Sequence, residues 1–203
     1  MPEVKATLTM TYNVRSDGSI FIGEEMEPKE ETENLDVPDM LRYGVVIDLP
    51  YNMDKSEYYG RGPIENYSDR TGGQWIGIYK QTADEQFYPY IRPQETGTKC
   101  DMRWWRQTDG NGFGFEVIPN AVYFDASALH YNISDLDEGD EKHQRHPQDV
   151  PKSKFTELTL DLVQQGVGGT NSWGELPLEK YRVHFGEKSF WFDLEPINKY
   201  KQL

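Results

Sequence analysis

Alternation of apolar and polar residues with a period of two, recurring along the chain, is what most narrows the folds open to this sequence. Between residues 4 and 14, Val4, Ala6, Leu8, Met10, Tyr12 and Val14 alternate with Lys5, Thr7, Thr9, Thr11 and Asn13. Successive side chains of a strand point to opposite faces, so this spacing gives a strand with one apolar face. Asp17-Gly18 then reads as a hairpin turn, because glycine readily takes the positive φ of a tight turn, and Ser19 to Gly23 returns as the second strand. The same criteria place strands at Met40 to Leu49, Ser56 to Tyr59, Phe87 to Ile91, Thr98 to Thr108, Phe113 to Ile118, Phe155 to Val163, Lys180 to Phe185 and Ser189 to Leu194. Val122 to His130 stays open between a strand and an irregular edge, and Thr82 to Gln86 has room for one helical turn. About ten strand candidates without an amphipathic helix predict an all-β sandwich.

Thr98 to Thr108 reads as one strand, with Cys100, Met102 and Trp104 on one face and Lys99, Asp101, Arg103 and Trp105 on the other. Three stretches read as connections. Glu24 to Asp39 carries six glutamates and two prolines and is expected to be solvated. Gly60 to Arg70 lacks any period and mixes glycines with charged and amide side chains, the composition of a long ordered loop. Its Gly-x-Gly is no dinucleotide fingerprint, since the third glycine is missing and Pro63 follows. Ser134 to Pro151 is polar and ends in prolines, as a surface excursion would.

The 203 residues suffice for one large domain with its own core, and the formal charge of −14 argues against nucleic acid or an anionic membrane, which are held by clustered Lys and Arg. Cys100 is the single cysteine, so no internal disulfide can form. No apolar run is long enough to cross a bilayer, and a soluble protein is expected. The 13 Tyr and 5 Trp suit both strands and sugar-contacting or protein-contacting faces.

Residue chemistry leaves the function open. A glycosidase needs two carboxylates about 5 to 10 Å apart, and no pair is singled out by spacing. An aldose epimerase needs a histidine and a carboxylate converging on a sugar, for which His130, His184 and Glu95 are the candidates. His143 and His146 have the spacing of metal ligands on a helix, but Pro147 and the polar surroundings favour a loop. The stretch from Gln165 to Pro177 sets Gly166, Gly168, Gly169 and Gly174 around Thr170, Asn171, Ser172 and Trp173. Such a loop is either a demanding turn or a recognition surface, and the Trp173 ring either packs on the domain edge or offers a flat face to the C–H face of a sugar.

The segment Tyr59 to Arg70, reading Tyr-Gly-Arg-Gly-Pro-Ile-Glu-Asn-Tyr-Ser-Asp-Arg, resembles the C-terminal domain of family 2 β-galactosidases. Tyr90-Ile91-Arg92-Pro93-Gln94-Glu95-Thr96-Gly97, Asp101-Met102-Arg103-Trp104, Ser127-Ala128-Leu129-His130-Tyr131 and Gly166-Val167-Gly168-Gly169-Thr170-Asn171-Ser172-Trp173 continue the likeness in order. The resemblance implies a β-supersandwich of the galactose-mutarotase-like type. It implies that both catalytic glutamates lie in a separate TIM-barrel domain, so that no residue here is catalytic. Trp173 is implied to bind substrate by stacking on the sugar where this domain closes one side of the pocket. No cofactor is implied for this stretch, the divalent and monovalent cations belonging to the catalytic domain. The implied partners are the remaining domains of a homo-oligomeric enzyme and a terminal β-D-galactoside, in a bacterial cytoplasm or periplasm. The family's domain normally opens with a further stretch bearing an Asn-Asp-rich loop, whereas residues 1–203 begin in a strand and read as a fragment lacking the first strands of the domain. A free-standing carbohydrate-binding β-domain and a mutarotase-like epimerase are the rival expectations.

Overall fold

The computed structural model describes residues 4–32, 36–137, 146–169, 171 and 174–197. Its strands are β1 (Ala6–Val14), β2 (Ile20–Pro28), β3 (Arg42–Pro50), β4 (Lys55–Gly62), β5 (Trp75–Thr82), β6 (Lys99–Met102), β7 (Trp104–Thr108), β8 (Gly114–Pro119), β9 (Phe124–Leu129), β10 (Phe155–Gln164) and β11 (Lys188–Ile197). Among the described residues two single-turn α-helices accompany them, α1 (Ala83–Gln86) and α2 (Ile133–Leu136), with three short 3-10 turns at Glu30–Thr32, Pro147–Asp149 and Glu179–Tyr181. The strands form two antiparallel sheets, one of seven strands ordered β1-β2-β11-β8-β7-β4-β5 and one of four ordered β3-β10-β9-β6. No helix among the described residues is long and apolar enough to cross a membrane.

The expected β-sandwich follows from the alternation. Phe190, Phe192, Val117, Trp105 and Tyr58 project from the larger sheet, and Leu158, Leu160, Ala126 and Ala128 from the smaller, into one buried cluster. Trp105 stacks on Tyr58 with centroids 4.9 Å apart and planes within 9°, and its indole nitrogen donates to Gln107 Oε1 at 2.9 Å, so the buried ring keeps its polar atom satisfied. The hairpin is also as expected. Gly18 takes φ +88° and Asp17 Oδ1 accepts the Ser19 amide at 2.9 Å.

Several expectations give way. β2 runs on through Glu24 to Pro28, because its ladders with β1 and β11 supply backbone partners that offset the glutamate's poor strand preference. Glu24 is thereby buried and its carboxyl pushed up to about 7 by burial. The Thr98 to Thr108 strand is two strands in different sheets. The chain crosses from one layer to the other at Arg103, after Asp101 in the left-handed region at φ +61°, which is why Trp105 and Met102 are both buried despite opposite parity. Phe87 to Ile91 forms no ladder, and Lys180 to Phe185 contributes one isolated bridge, Met40 to Val183. Edge strand β5 escaped the sequence reading, its Trp75, Ile76 and Ile78 lying largely exposed and carrying no clean alternation. The 134–151 excursion is pinned at its described ends, where Leu136 and Val150 join Leu129 in a second small apolar cluster.

The smaller sheet is buried on both faces. Asp125, Ser127, Glu157, Thr159 and Asp161 point away from the core, yet Ser127, Thr159 and Asp161 are each at most 3% exposed. The segment between β5 and β6 lies over this face. Glu95 from that segment receives Arg42 Nη2 at 2.7 Å, and Asn66 Oδ1 receives the Cys100 amide at 2.9 Å. Asp125 and Asp161 face each other across adjacent strands, and burial pushes them up to about 7 and about 8.

Candidate functional site

The loop after β4 is held to the sandwich by the buried carboxylate of Glu65. It accepts hydrogen bonds from Arg70 and the Tyr90 hydroxyl on one oxygen, and from the Gly97 amide at 2.7 Å and Thr96 Oγ1 at 3.1 Å on the other. A carboxylate has about four lone-pair sites, so this one is filled, and it ties residues 65–70 to residues 90–97. Asn66 adds a second tie, donating to the carbonyls of Arg61 at 3.1 Å and Ile64 at 3.0 Å. The buried Tyr67 ring packs beneath Arg70, whose guanidinium lies 5.1 Å from its centroid. Burial, and after it the Glu95 and Glu65 carboxylates, push the Tyr67 hydroxyl far up, so it stays a neutral donor.

The Arg70 amide bonds the Tyr67 carbonyl at 2.7 Å, a turn whose tip is Ser68-Asp69. From that tip Asp69 reaches the glycine-rich loop that follows β10. Its Oδ1 accepts the Val167 amide at 3.2 Å and its Oδ2 the Gly168 amide at 2.7 Å. The loop is fixed from below by the Gly166 amide on the Tyr181 carbonyl at 2.8 Å and the Gln165 amide on the Leu41 carbonyl at 2.9 Å. At its far side the chain folds back, Asn171 Nδ2 donating to the Glu175 carboxylate, and Gly174 takes φ +87°. Thr170, Ser172 and Trp173, the predicted substrate-binding residue among them, lie outside the described residues.

Beside the loop runs a cleft of about 420 Å³, bounded by Tyr67, Arg70, Tyr90, Arg92, Glu95 and Val167 among others. Glu95 is the carboxylate that lines it. Its oxygens are engaged by Arg42 Nη2 at 2.7 Å and Thr98 Oγ1 at 3.1 Å, and burial raises its carboxyl above the usual range. A neighbouring cleft of about 470 Å³ shares Gln94, Glu95 and Val167 and continues past Arg42 and Gln164. The base of the glycine loop thus borders two hollows whose walls offer amide and guanidinium groups, the first of them also the tyrosines Tyr67 and Tyr90. These groups can hold hydroxyls of a polyol.

The three candidates for epimerase chemistry do not come together. His130 is buried, stacked on Tyr51 at 3.8 Å between centroids, with its ring nitrogens 3.1 Å from Asp84 Oδ1 and the Tyr51 carbonyl. His184 lies against Asp39 and Glu179, and Glu95 against Arg42, so the three have no partner in common among the described residues. His143 lies outside the described residues, and among those described no three His, Cys, Asp or Glu side chains converge as a metal site would require. Glu65, Asp69 and Arg70 went without a role in the sequence reading. The signal that could have found them was an aperiodic loop dense in charged and amide residues, since such a loop keeps order only when those groups are bonded.

Residues 1–194 match the family described as β-galactosidase small chain. Among curated proteins the chain is similar to a β-galactosidase of Priestia megaterium, 31% identical over 194 residues that make up 95% of this chain and 18% of that protein. A β-galactosidase of Lactobacillus delbrueckii subsp. bulgaricus is 33% identical over 172 residues, 85% of this chain and 16% of the relative. β-Galactosidase BgaC of Bifidobacterium adolescentis is 33% identical over 181 residues, 88% of this chain and again 16% of the relative. The chain therefore spans less than a fifth of the length of these curated relatives.

Proposed function

Because the chain belongs to the β-galactosidase small-chain family, we propose that it is the C-terminal part of a β-galactosidase, closing one side of the pocket in which terminal β-D-galactosides are hydrolysed. In this reading Trp173 is the platform on which the sugar ring stacks, and the general acid/base and the nucleophile of a retaining mechanism come from another domain. The remaining domains of the enzyme are its partners, any metal ions belong to the catalytic domain, and the assembled enzyme is a homo-oligomer.

The observation that carries this reading is the tie between the matched segments. The glycine loop leading to Trp173 is joined through Asp69 to the 65–70 segment, which Glu65 in turn locks onto the 90–97 segment. Such a wall can present an aromatic face in a fixed place, and positioning of a substrate ring within a fraction of an ångström is what a hydrolytic pocket needs from a remote domain. The filled hydrogen-bonding capacity of Glu65, and the pairing of Glu95 with Arg42, support the absence of an acid/base role for either.

Trp173→Ala in the assembled enzyme is expected to raise KM for a chromogenic β-galactoside, and an unchanged KM would remove the platform role. Purified on its own, the chain is expected to release no chromophore from that substrate. Turnover surviving the removal of contaminating enzyme would overturn the division of labour.

A further inference from the structure

We propose that the cleft of about 470 Å³ where β3 begins and β10 ends is a binding site for a neutral polyol of monosaccharide size, whose hydroxyls complete the hydrogen bonding of Arg42, Gln164 and Gln165. The inference goes beyond the hydrolase reading and makes no use of Trp173.

Buried polar side-chain atoms in folded proteins nearly all have a hydrogen-bond partner, so each one without a partner calls for a cause. Seven such atoms occur among the described residues, and three of them, Arg42 Nη1, Gln164 Oε1 and Gln165 Oε1, belong to side chains that line this one cleft. A fourth, Asp161 Oδ2, stands 3.6 Å from Arg42 Nη1, too far for a hydrogen bond. The fold brings them together. Arg42 and Gln164 are opposite partners in the β3–β10 ladder, and the Gln165 amide is fixed on the Leu41 carbonyl at 2.9 Å. Gln164 is 6% exposed and its side-chain nitrogen is spent on Glu95. Exchanging the oxygen and nitrogen of that amide would only set an oxygen against a carboxylate, so Oε1 is the end left without a partner.

The unmet groups are two amide oxygens, which need donors, and one guanidinium N–H, which needs an acceptor. A carboxylate or phosphate would serve the guanidinium alone, and a cation the oxygens alone. A hydroxyl donates and accepts, and serves both. The charges agree with a neutral ligand. Arg42 is already paired with Glu95 at 2.7 Å, which leaves it no unshared charge for an anion, and among the described residues no three His, Cys, Asp or Glu side chains converge to favour a metal ion. Leu41, Ile133 and Val167 add apolar wall for the C–H face of a ring. Ordered water can meet the same demand atom by atom, whereas a ring with several hydroxyls meets it at a fixed spacing. The unmet atoms are closed off from solvent, so the amides must turn to receive a ligand; the terminal torsion of glutamine is broad, and Gln165 is only half-buried.

The test is hydrogen exchange on the assembled enzyme with D-galactose, D-glucose or myo-inositol as the probe. At a concentration of five times its dissociation constant, a probe that fits should slow exchange of the peptides covering residues 40–44 and 162–168 about sixfold and leave the peptide covering residues 6–28 unchanged. Gln165→Leu removes one acceptor of a neutral hydrogen bond and should weaken binding about fivefold, so that the slowing at the same concentration falls to about twofold. Since it also removes a buried oxygen without a partner, this variant should melt at or above the wild-type temperature, and a lower melting temperature would overturn the argument from unmet atoms. Ser134→Trp, at an exposed position on the cleft wall, fills the space without touching those atoms and should abolish the slowing. Slowing shared equally by residues 6–28 would be general stabilisation by an excluded solute and would overturn the site. Slowing confined to residues 162–168, or persisting in both variants, would place the sugar elsewhere and overturn it too. No slowing with any of the three probes would mean that water or another domain of the enzyme fills the cleft, which overturns the proposal while leaving the hydrolase reading standing.

Discussion

Replacing Glu65 by glutamine probes how the site's foundation is held. The carboxylate presents one oxygen to the Gly97 amide and Thr96 hydroxyl, at 2.7 and 3.1 Å, and the other to Arg70 and Tyr90. A glutamine can keep only one acceptor side. The cheaper choice leaves its carbonyl on Gly97, whose amide cannot turn away, and sets its NH₂ toward Arg70 and Tyr90. The Tyr90 hydroxyl can rotate to accept, and the Arg70 side chain, 47% exposed, can recover water, so the lost charge pairing is discounted for solvent screening. The net cost is about 2 kcal/mol, one charge-assisted bond lost and one weakened to a neutral bond. Glu65→Ala cannot choose, leaves the Gly97 amide with no acceptor and a void beside it, and should cost about 4 kcal/mol. Hydrogen exchange of the peptides covering residues 88–98 reads this locally, without assuming two-state unfolding of a large enzyme. Exchange at Gly97 is expected to quicken about thirtyfold in the glutamine variant and by at least a further tenfold in the alanine variant. Equal rates in the two variants, or wild-type protection in either, would refute the argument that Glu65 organises the segment.

Asp161→Asn tests the buried acids. A carboxyl raised to about 8 by burial keeps its proton in the folded chain while the unfolded chain loses it above about pH 4, so wild-type stability falls as pH rises from there to about 8. The asparagine variant should therefore gain melting temperature relative to wild type between pH 5 and pH 8 and no further above that; a pH-independent difference would contradict it. Lys99 is fully buried and lowered to about 7 by burial, which destabilises the folded chain below that pH and ceases to do so as pH rises toward the unfolded value near 10. Lys99→Met should accordingly cost more melting temperature at pH 9 than at pH 6, and the reverse order would show that the ammonium is not desolvated. Gly44→Ala would drive a methyl group into the Leu160 carbonyl and Asp161 backbone on β10, forcing β3 and β10 apart at a cost of about 1 to 3 kcal/mol. A thermal scan of the variant matching wild type would mean that the ladder there yields more readily than its register implies.

The loop chemistry was only partly legible. The aperiodic Gly60 to Arg70 stretch announced an ordered loop, and its likeness to family 2 β-galactosidases pointed toward the family the chain belongs to. Nothing in the linear order said that Asp69 would meet residues nearly a hundred positions later, because a carboxylate's partners are set by which segments are brought together. The glycines at 166 and 168 looked like turn residues, and the structure makes them seats for Asp69. In the opposite direction, His130 with Glu95 made a plausible chemical pair on paper and proved to be a stacked, bonded core histidine and a separately paired acid.

Sequence by itself determined that the chain would build sheets, because period two places one face of each strand on a common core whatever the order of the strands. It also determined the Asp17-Gly18 hairpin and the family, since both are written in residues adjacent along the chain. Tertiary structure alone decided that Thr98 to Thr108 would be shared between two sheets, that Glu24, Asp161 and Lys99 would be buried, and that Asp69 would hold the glycine loop. The reason is physical. Local sequence fixes backbone preference and the face on which a side chain stands, but burial, charge state and hydrogen-bond partners depend on what the rest of the chain lays against that face.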